Sequence, residues 1–343
     1  MIYKSVKSVV DTITWAASQD LQIDLPSDGR LTRVLLNASF TVTACLAAAT
    51  NTQLCQYKPF QNIKIEGGGG RTYWGMSGEQ MGRMLHILNR LDFPGSAPHA
   101  AMATNTIHAA MILHFGSFPR LHGRDNPFDE SAFIPAKDET NLKLTITTAA
   151  AADISDTAID ITAGTIKATA YQVLGKPMAG GMMPVSSSYS HPTGGSAVSD
   201  LGQEFDIPTR AFLRRIVLLT QDATAISSGG PLLADDIISK AGIILPMETR
   251  RLVEIDDEAL ASSCGVLADG YDTGAAADAN KVEGYQFPGF YVLDMRHFAD
   301  RVYGLDLRAY EKGAAKLAFT VPSGSDGDDI LIWYDQVQPY MGK

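Results

Sequence analysis

The chain has 343 residues, of which 45% are hydrophobic and 19% charged, enough for a sizeable core in one large or two medium domains. Its formal net charge of −10 argues against a protein whose main task is to grip nucleic acid through phosphates. No apolar run reaches the roughly 18 residues of a membrane span.

The first segment, residues 2–15, places Val6, Val9, Val10 and Ile13 at helical spacing with Lys4 and Lys7 nearby. This predicts a short amphipathic helix for residues 1–15, packed on its own domain or facing lipid head groups or a neighbouring subunit. The start lacks the basic-then-apolar layout of a secretory signal. With three cysteines (Cys45, Cys55 and Cys264) and no CxxC, the expectation is reduced thiols in a protein made inside a cell.

Strand periodicity follows. In Leu31–Thr43, Val34, Leu36, Ala38, Phe40 and Val42 alternate with Asn37, Ser39, Thr41 and Thr43, the pattern of a half-buried strand. The Gly-rich stretch Glu66–Arg71 lacks Gly-Lys-Ser/Thr and reads as a flexible turn between strands, not a phosphate cradle. Ser77–Leu91 carries a capping-box pair, Ser77 and Gln80, then Met81, Met84, Leu85 and Leu88; Pro94 and Gly95 end this helix. His114, His122, Asp125, Asp129 and Glu130 lie close in sequence, but in a stretch that reads as a surface loop, so no metal site is expected there.

Asn141–Thr147 and Thr165–Val173 are further strands. Residues 176–200 mix Pro, Gly and Ser without periodicity and read as a linker. Beyond it, short helices are expected at Leu232–Lys240 and Asp256–Ala261, and strands at Lys316–Val321 and Ile330–Val337. Asp326, Asp328 and Asp329 read as a hairpin turn, with too few oxygens for a calcium loop. Tyr73, Trp74, Trp333 and Tyr334 suit core packing or subunit contacts better than stacking on sugars. No catalytic, cofactor-binding or metal-binding residues stand out.

The two halves repeat. Asp24–Leu36 aligns with Asp206–Leu218 at an offset of 182, with five identities: Asp24/Asp206, Pro26/Pro208, Leu31/Leu213, Arg33/Arg215 and Leu36/Leu218. Three weaker blocks follow in order. Arg71–Met81 matches Arg250–Leu260 (offset 179), Asn141–Thr147 matches Lys316–Pro322 (175) and Thr165–Leu174 matches Asp329–Gln338 (164). Two copies of one unit of about eight strands have the size of tandem jelly rolls. The expected fold is all-β, two jelly-roll β-barrels with short helices in connecting loops: first jelly roll 16–175, linker 176–200, second jelly roll 201–343.

With the phrases Phe60–Glu66, Asn141–Thr147 and Ile330–Val337, this architecture resembles the double jelly-roll major capsid proteins of membrane-containing icosahedral viruses, such as tectiviruses, corticoviruses and related small bacteriophages. The resemblance spans essentially the whole chain and implies a structural protein of the virion, not an enzyme. It implies pseudo-hexagonal homotrimers that tile a shell over an internal membrane, assembled in the host cytoplasm. The implied partners are copies of the chain itself, a penton protein and that membrane, with no sequence-specific nucleic acid and no cofactor. It also implies that residues 1–15 face membrane or neighbour. The competing readings are a two-sandwich glycan-cleaving hydrolase and a virion spike or glycan-binding protein.

Overall fold

The computed structural model describes residues 4–43, 57–82, 95–96, 104–116, 131–150, 160–175, 180–193, 196–222, 232–233, 237–246, 253–256, 290–295, 303–322 and 329–341. All three cysteines, most of the His114–Glu130 cluster and the Asp326–Asp328 turn lie outside these residues.

Contacts divide the chain into two compact units. Unit 1 holds Met1–Val185 and takes back Pro339–Lys343, while unit 2 is drawn from Ser186–Ser227 and Pro231–Gln338. In unit 1 the strands are β1 (Lys4–Thr14), β2 (Asp20–Asp24), β3 (Arg30–Thr43), β4 (Phe60–Gly67), β5 (Arg71–Met76), β6 (Gly95–Ser96), β7 (Thr104–His114), β8 (Lys143–Thr148), β9 (Asp160–Leu174) and β10 (Met182–Pro184). The first nine build one sheet in the order β1-β9-β3-β7-β6 and a second in the order β2-β8-β4-β5. Unit 2 contributes β11 (Ser187–Pro192), β12 (Val198–Asp206), β13 (Phe212–Asp222), β14 (Leu232–Leu233), β15 (Lys240–Ile244), β16 (Val253–Asp256), β17 (Phe290–Asp294), β18 (Leu305–Asp306), β19 (Lys316–Val321) and β20 (Asp329–Pro339). Here β11 pairs β20, β20 pairs β13 and β13 pairs β17, while the second sheet runs β12-β19-β15-β16. Strand for strand, β1-β9-β3-β7 corresponds to β11-β20-β13-β17 and β2-β8-β4-β5 to β12-β19-β15-β16. Two four-stranded antiparallel sheets in this nested order are a jelly roll.

The sequence repeat is visible in the hydrogen-bond ladders. Asp24 and Asp206 are the last residues of β2 and β12, and Arg30 and Phe212 the first of β3 and β13. Leu31 pairs with Gln172 and Leu213 with Gln336, and in both cases the register shifts before Arg33 or Arg215. The same β-bulge therefore sits at the same place in each copy. Gln172 Nε2 donates to Asp28 O at 2.5 Å and Gln336 Nε2 to Pro208 O at 2.6 Å, so each glutamine holds the turn that enters the central strand. One block needs correcting. Asp24 pairs with Lys143 and Asp206 with Lys316, an offset of 173 rather than 175. A slip of two in a strand keeps every side chain on its own face, so the apolar pattern matched equally well.

Packing follows the alternation. Val34, Leu36, Ala38, Phe40 and Val42 of β3 are buried. Phe40 bridges the two sheets of unit 1, with its ring 6.0 Å from Trp15 and 5.7 Å from Phe60 of β4. In unit 2 Ile216 and Leu218 meet Leu317 and Phe319 of the facing sheet. Each such side chain contributes roughly 1.5–3 kcal/mol. The helix start at Ser77 forms as the capping box predicts: Gln80 N–H donates to Ser77 Oγ and Ser77 N–H to Gln80 Oε1, both at 3.2 Å. Residues 78–82 are helical, and the rest of Ser77–Leu91 lies outside the described residues.

Three expectations are overturned, and a fourth lies almost wholly outside the described residues. The helix expected for residues 1–15 is not formed where the segment is described: Lys4–Thr14 is strand β1. Its bulge, between Val9 and Asp11, explains the error: the extra residue brings Val6, Val10 and Ile13 all to half-buried positions, and the resulting four-then-three spacing mimics a helix. The linker 176–200 contains β10, β11 and the start of β12; Pro184 ends β10, and Ser187, Ser188, Ser190 and Pro192 belong to β11, an edge strand that tolerates them. Leu232–Lys240 begins as β14 and ends in β15, since two short apolar pairs suit strand ends as well as a helix face. Asp256 closes strand β16; the remainder of Asp256–Ala261 is outside the described residues.

Both faces of β13 are buried, which encloses charge. Arg214 Nη2 lies 2.6 Å from Asp335 Oδ1, and Arg215, 0% exposed, places Nε 3.3 Å from Asp294 Oδ2. Breaking such a pair strands a dehydrated charge. Asp335→Ala is therefore expected to destabilise unit 2 by about 3–5 kcal/mol, read from the midpoint of urea unfolding.

Candidate functional site

The N-terminal residues expected to face membrane or neighbour lie on β1, which pairs with β9 and has no strand on its other side among the described residues. The strand divides them. Lys7 (opposite Tyr171) and Val9 (opposite Thr169) point to the outer face of the sheet, and Val9 is 56% exposed. Val6 stands opposite Gln172 and Ile13 opposite Ile166, both on the core side; Lys4 shares the parity of Val6 at the exposed start of the strand; Val10 is the bulge residue. The six residues therefore do not form one surface.

The outer face can be read across four strands. One row is Lys7, Tyr171, Arg33 and His114. The Lys7 ammonium lies 5.6 Å and the Arg33 guanidinium 4.1 Å from the Tyr171 ring centroid, so one aromatic ring attracts two cations. Burial holds the Arg33 pKa below its ordinary value, with Tyr171 opposing the shift. The next row, Val9, Thr169, Leu35 and Ile112, is mainly apolar, and the one after it is Thr12, Lys167, Asn37 and Ala110. None of these residues is acidic. In unit 2 the corresponding rows are Asp335, Arg215 and Asp294, then Ser188, Trp333, Val217 and Val292. There Arg215, Val217, Trp333, Asp335 and Asp294 are all buried. The Arg33–Tyr171 pair of unit 1 is thus replaced by an Arg–Asp pair in unit 2. Finding this face requires the register of strands more than a hundred residues apart, which no local motif carries.

The Gly-rich turn does something other than cradle phosphate. Gly68 N–H donates to Glu139 Oε2 at 2.7 Å, Tyr73 O–H donates to Glu139 Oε1, and Arg71 Nη1 lies 3.9 Å from the same carboxylate. An anion of the protein's own therefore occupies the amide a phosphate would use. Gly69 and Gly70 adopt φ of +75°, and a Cβ on Gly67 would stand 2.4 Å from Glu139 Oε2, which is why the run is glycine. Burial, reinforced by Glu139, pushes the Tyr73 phenol above its ordinary range. Glu139 carried no signal in the sequence; a lone glutamate becomes a latch only once β4 and β5 bring the turn to it. Tyr73, Trp74, Trp333 and Tyr334 are buried, closed to a sugar. Among the described residues no group of three or more His, Cys, Asp and Glu is placed to hold a metal, and no helix is long and apolar enough to cross a membrane.

No protein-family model matches the sequence, and no curated protein aligns with it. The structure, however, is similar to the crystal structure of the major capsid protein of Sulfolobus Turreted Icosahedral Virus, with a TM-score of 0.69 at 12% identity, covering 97% of this chain and 96% of that chain. It is also similar to the capsid protein of the virus PBCV-1 (TM-score 0.62, 9% identity, 98% and 94% covered) and to the major capsid protein of bacteriophage PM2 (TM-score 0.56, 12% identity, 100% of both chains covered). The fold is a double jelly roll. The resemblance expected from the internal repeat holds over the length of the double jelly roll, although sequence identity is nearly gone.

Glu139→Ala is expected to leave Gly68 N–H and Tyr73 O–H without their acceptor and to lower the stability of the first jelly roll by about 1–3 kcal/mol, measured by chemical unfolding.

Proposed function

We propose that this chain is the structural major capsid protein of an icosahedral virus and resides in the virion. One observation carries the reading: a single chain holds two jelly rolls with the same strand order and the same bulge before Arg33 and Arg215. Three such chains present six similar barrels, so a trimer approximates six-fold shape and tiles a shell with one gene product. Similarity to viral capsid proteins along nearly the whole chain supports the same reading.

The working unit is a homotrimer, and its work is adhesion between copies; no residue is assigned a catalytic role. A penton protein at the vertices and an internal membrane beneath the shell complete the proposed assembly. Strand β1 faces a neighbouring subunit rather than lipid. As a paired strand it lacks the rolling apolar face with which a helix lies in a membrane surface, and its unpaired edge and exposed Val9 suit a protein neighbour. The hydrolase reading has no observation in its favour.

Light scattering on purified protein is expected to give three chains of 36.8 kDa, about 110 kDa, with pseudo-hexagonal outlines by electron microscopy. A stable monomer that never assembles would overturn the proposal.

A further inference from the structure

A sheet edge is a row of open amides and carbonyls, ready to pair with a strand from another chain. Among the described residues β1, β2, β11 and β12 each have a paired strand on one side only. None of them is a long, plain edge. Strand β2 is five residues long, with Asp20, Gln22 and Asp24 exposed, and β11 ends on Pro192, which has no N–H to offer.

The two longer strands are broken. In β1 the pairing passes from Val9 opposite Thr169 to Asp11 opposite Ala168, so Val10 is an extra residue. Asp11 then turns its carboxylate onto the backbone, and the Thr12 N–H donates to Asp11 Oδ1 at 2.7 Å. In β12, Val198 stands opposite Val321 and Gln203 opposite Phe319, so four residues, Ser199–Gly202, answer the single Thr320. Asp200 and Leu201 turn there with φ of +59° and +57°, a left-handed conformation that side chains larger than glycine rarely adopt. The Leu201 N–H donates to Thr320 Oγ1 at 2.9 Å, and Leu201 is buried while Asp200 is exposed. The matching strands carry neither break: β2 pairs with β8, and β11 with β20, without a shift of register. The bulge before Arg33 and Arg215 belongs to both copies, whereas these two interruptions occur once each, on the longer edge strand of each matching pair.

We propose that the Val10–Asp11 bulge of β1 and the Ser199–Gly202 loop of β12 are edge guards, which stop another copy of the chain from adding a strand to either jelly roll. Copies then join through side-chain surfaces and not by extending one another's sheets. This narrows the contact of β1 with a neighbouring subunit to packing against side chains such as the exposed Val9. It holds whatever assembly the chain forms.

Deleting Asp11 from the full-length chain tests the proposal. Val10 then takes the place opposite Ala168, the other pairs of β1 with β9 keep their register, and the edge runs straight without its side-chain acceptor. Sedimentation is expected to show the variant associating beyond the wild-type oligomer with at least about tenfold higher affinity. In the associated species the amides of residues 4–14 are expected to exchange with deuterium at least about tenfold more slowly than in wild type. Association equal to wild type would overturn the proposal, as would larger species whose β1 amides exchange as fast as before. Asp11→Ala, which keeps the bulge and removes the acceptor, is expected to shift both readings the same way by a smaller factor. Should the deletion prevent folding, Asp11→Ala decides, and wild-type association and exchange in that variant would reject the guard.

Discussion

Both jelly rolls depend on one long antiparallel ladder at the centre of the larger sheet, β3 with β9 and β13 with β20. This ladder fixes which side chains point to the core, and every other strand of its sheet is added to it. The bulge before Arg33 and Arg215 sets its phase. Downstream of it Val34, Leu36 and Phe40 in one copy, and Ile216 and Leu218 in the other, enter the sandwich. Remove the extra residue and the alternation reverses: arginine would enter the core and the apolar side chains would leave it. The glutamine on the adjacent strand, Gln172 opposite Leu31 or Gln336 opposite Leu213, ties the preceding turn to the same ladder, so position and phase are held together.

The two copies have diverged on the other face of that ladder. In the first, Arg33 rests on Tyr171 and remains in partial contact with water. In the second, the residue opposite the arginine is Asp335, and Arg214, Arg215, Asp294 and Asp335 form a buried group of balanced charge. A hydrophobic replacement of such a group is often at least as stable, whereas removing one partner leaves an uncompensated buried charge. Duplication supplied the same scaffold twice; exposure decided what each outer face became.

How much of this was legible depended on how each residue is used. Leu31–Thr43 and Lys316–Val321 were readable because one face is buried and the other is not, so the two-residue period survives in the sequence. The N-terminal strand was misread because a bulge breaks that period, and β11 because an edge strand of serine, tyrosine and histidine resembles a linker. The repeat was readable because identical turns need the same residues at the same spacing, as at Asp24–Pro26 and Asp206–Pro208. The outer face of the first jelly roll was not, since its rows join residues of β1, β3, β7 and β9 through pairing alone. Nor was Glu139, whose meaning comes from the turn that closes on it.

The nested order of pairing also governs how the chain acquires its shape. In the first unit β4 meets β5 across a turn of three glycines, β2 meets β8 outside it, and β1 meets β9 outside that, with Lys4 opposite Leu174. Each outer pair closes a loop already shortened by the pairs inside it, so the entropy of bringing distant ends together is met in instalments rather than at once. The outermost strand is also the last to find its place, and until β9 is synthesised β1 has no partner. Strand β1 is made first and paired last, so its edge stays open while the rest of the unit forms, and open strand edges are where chains aggregate.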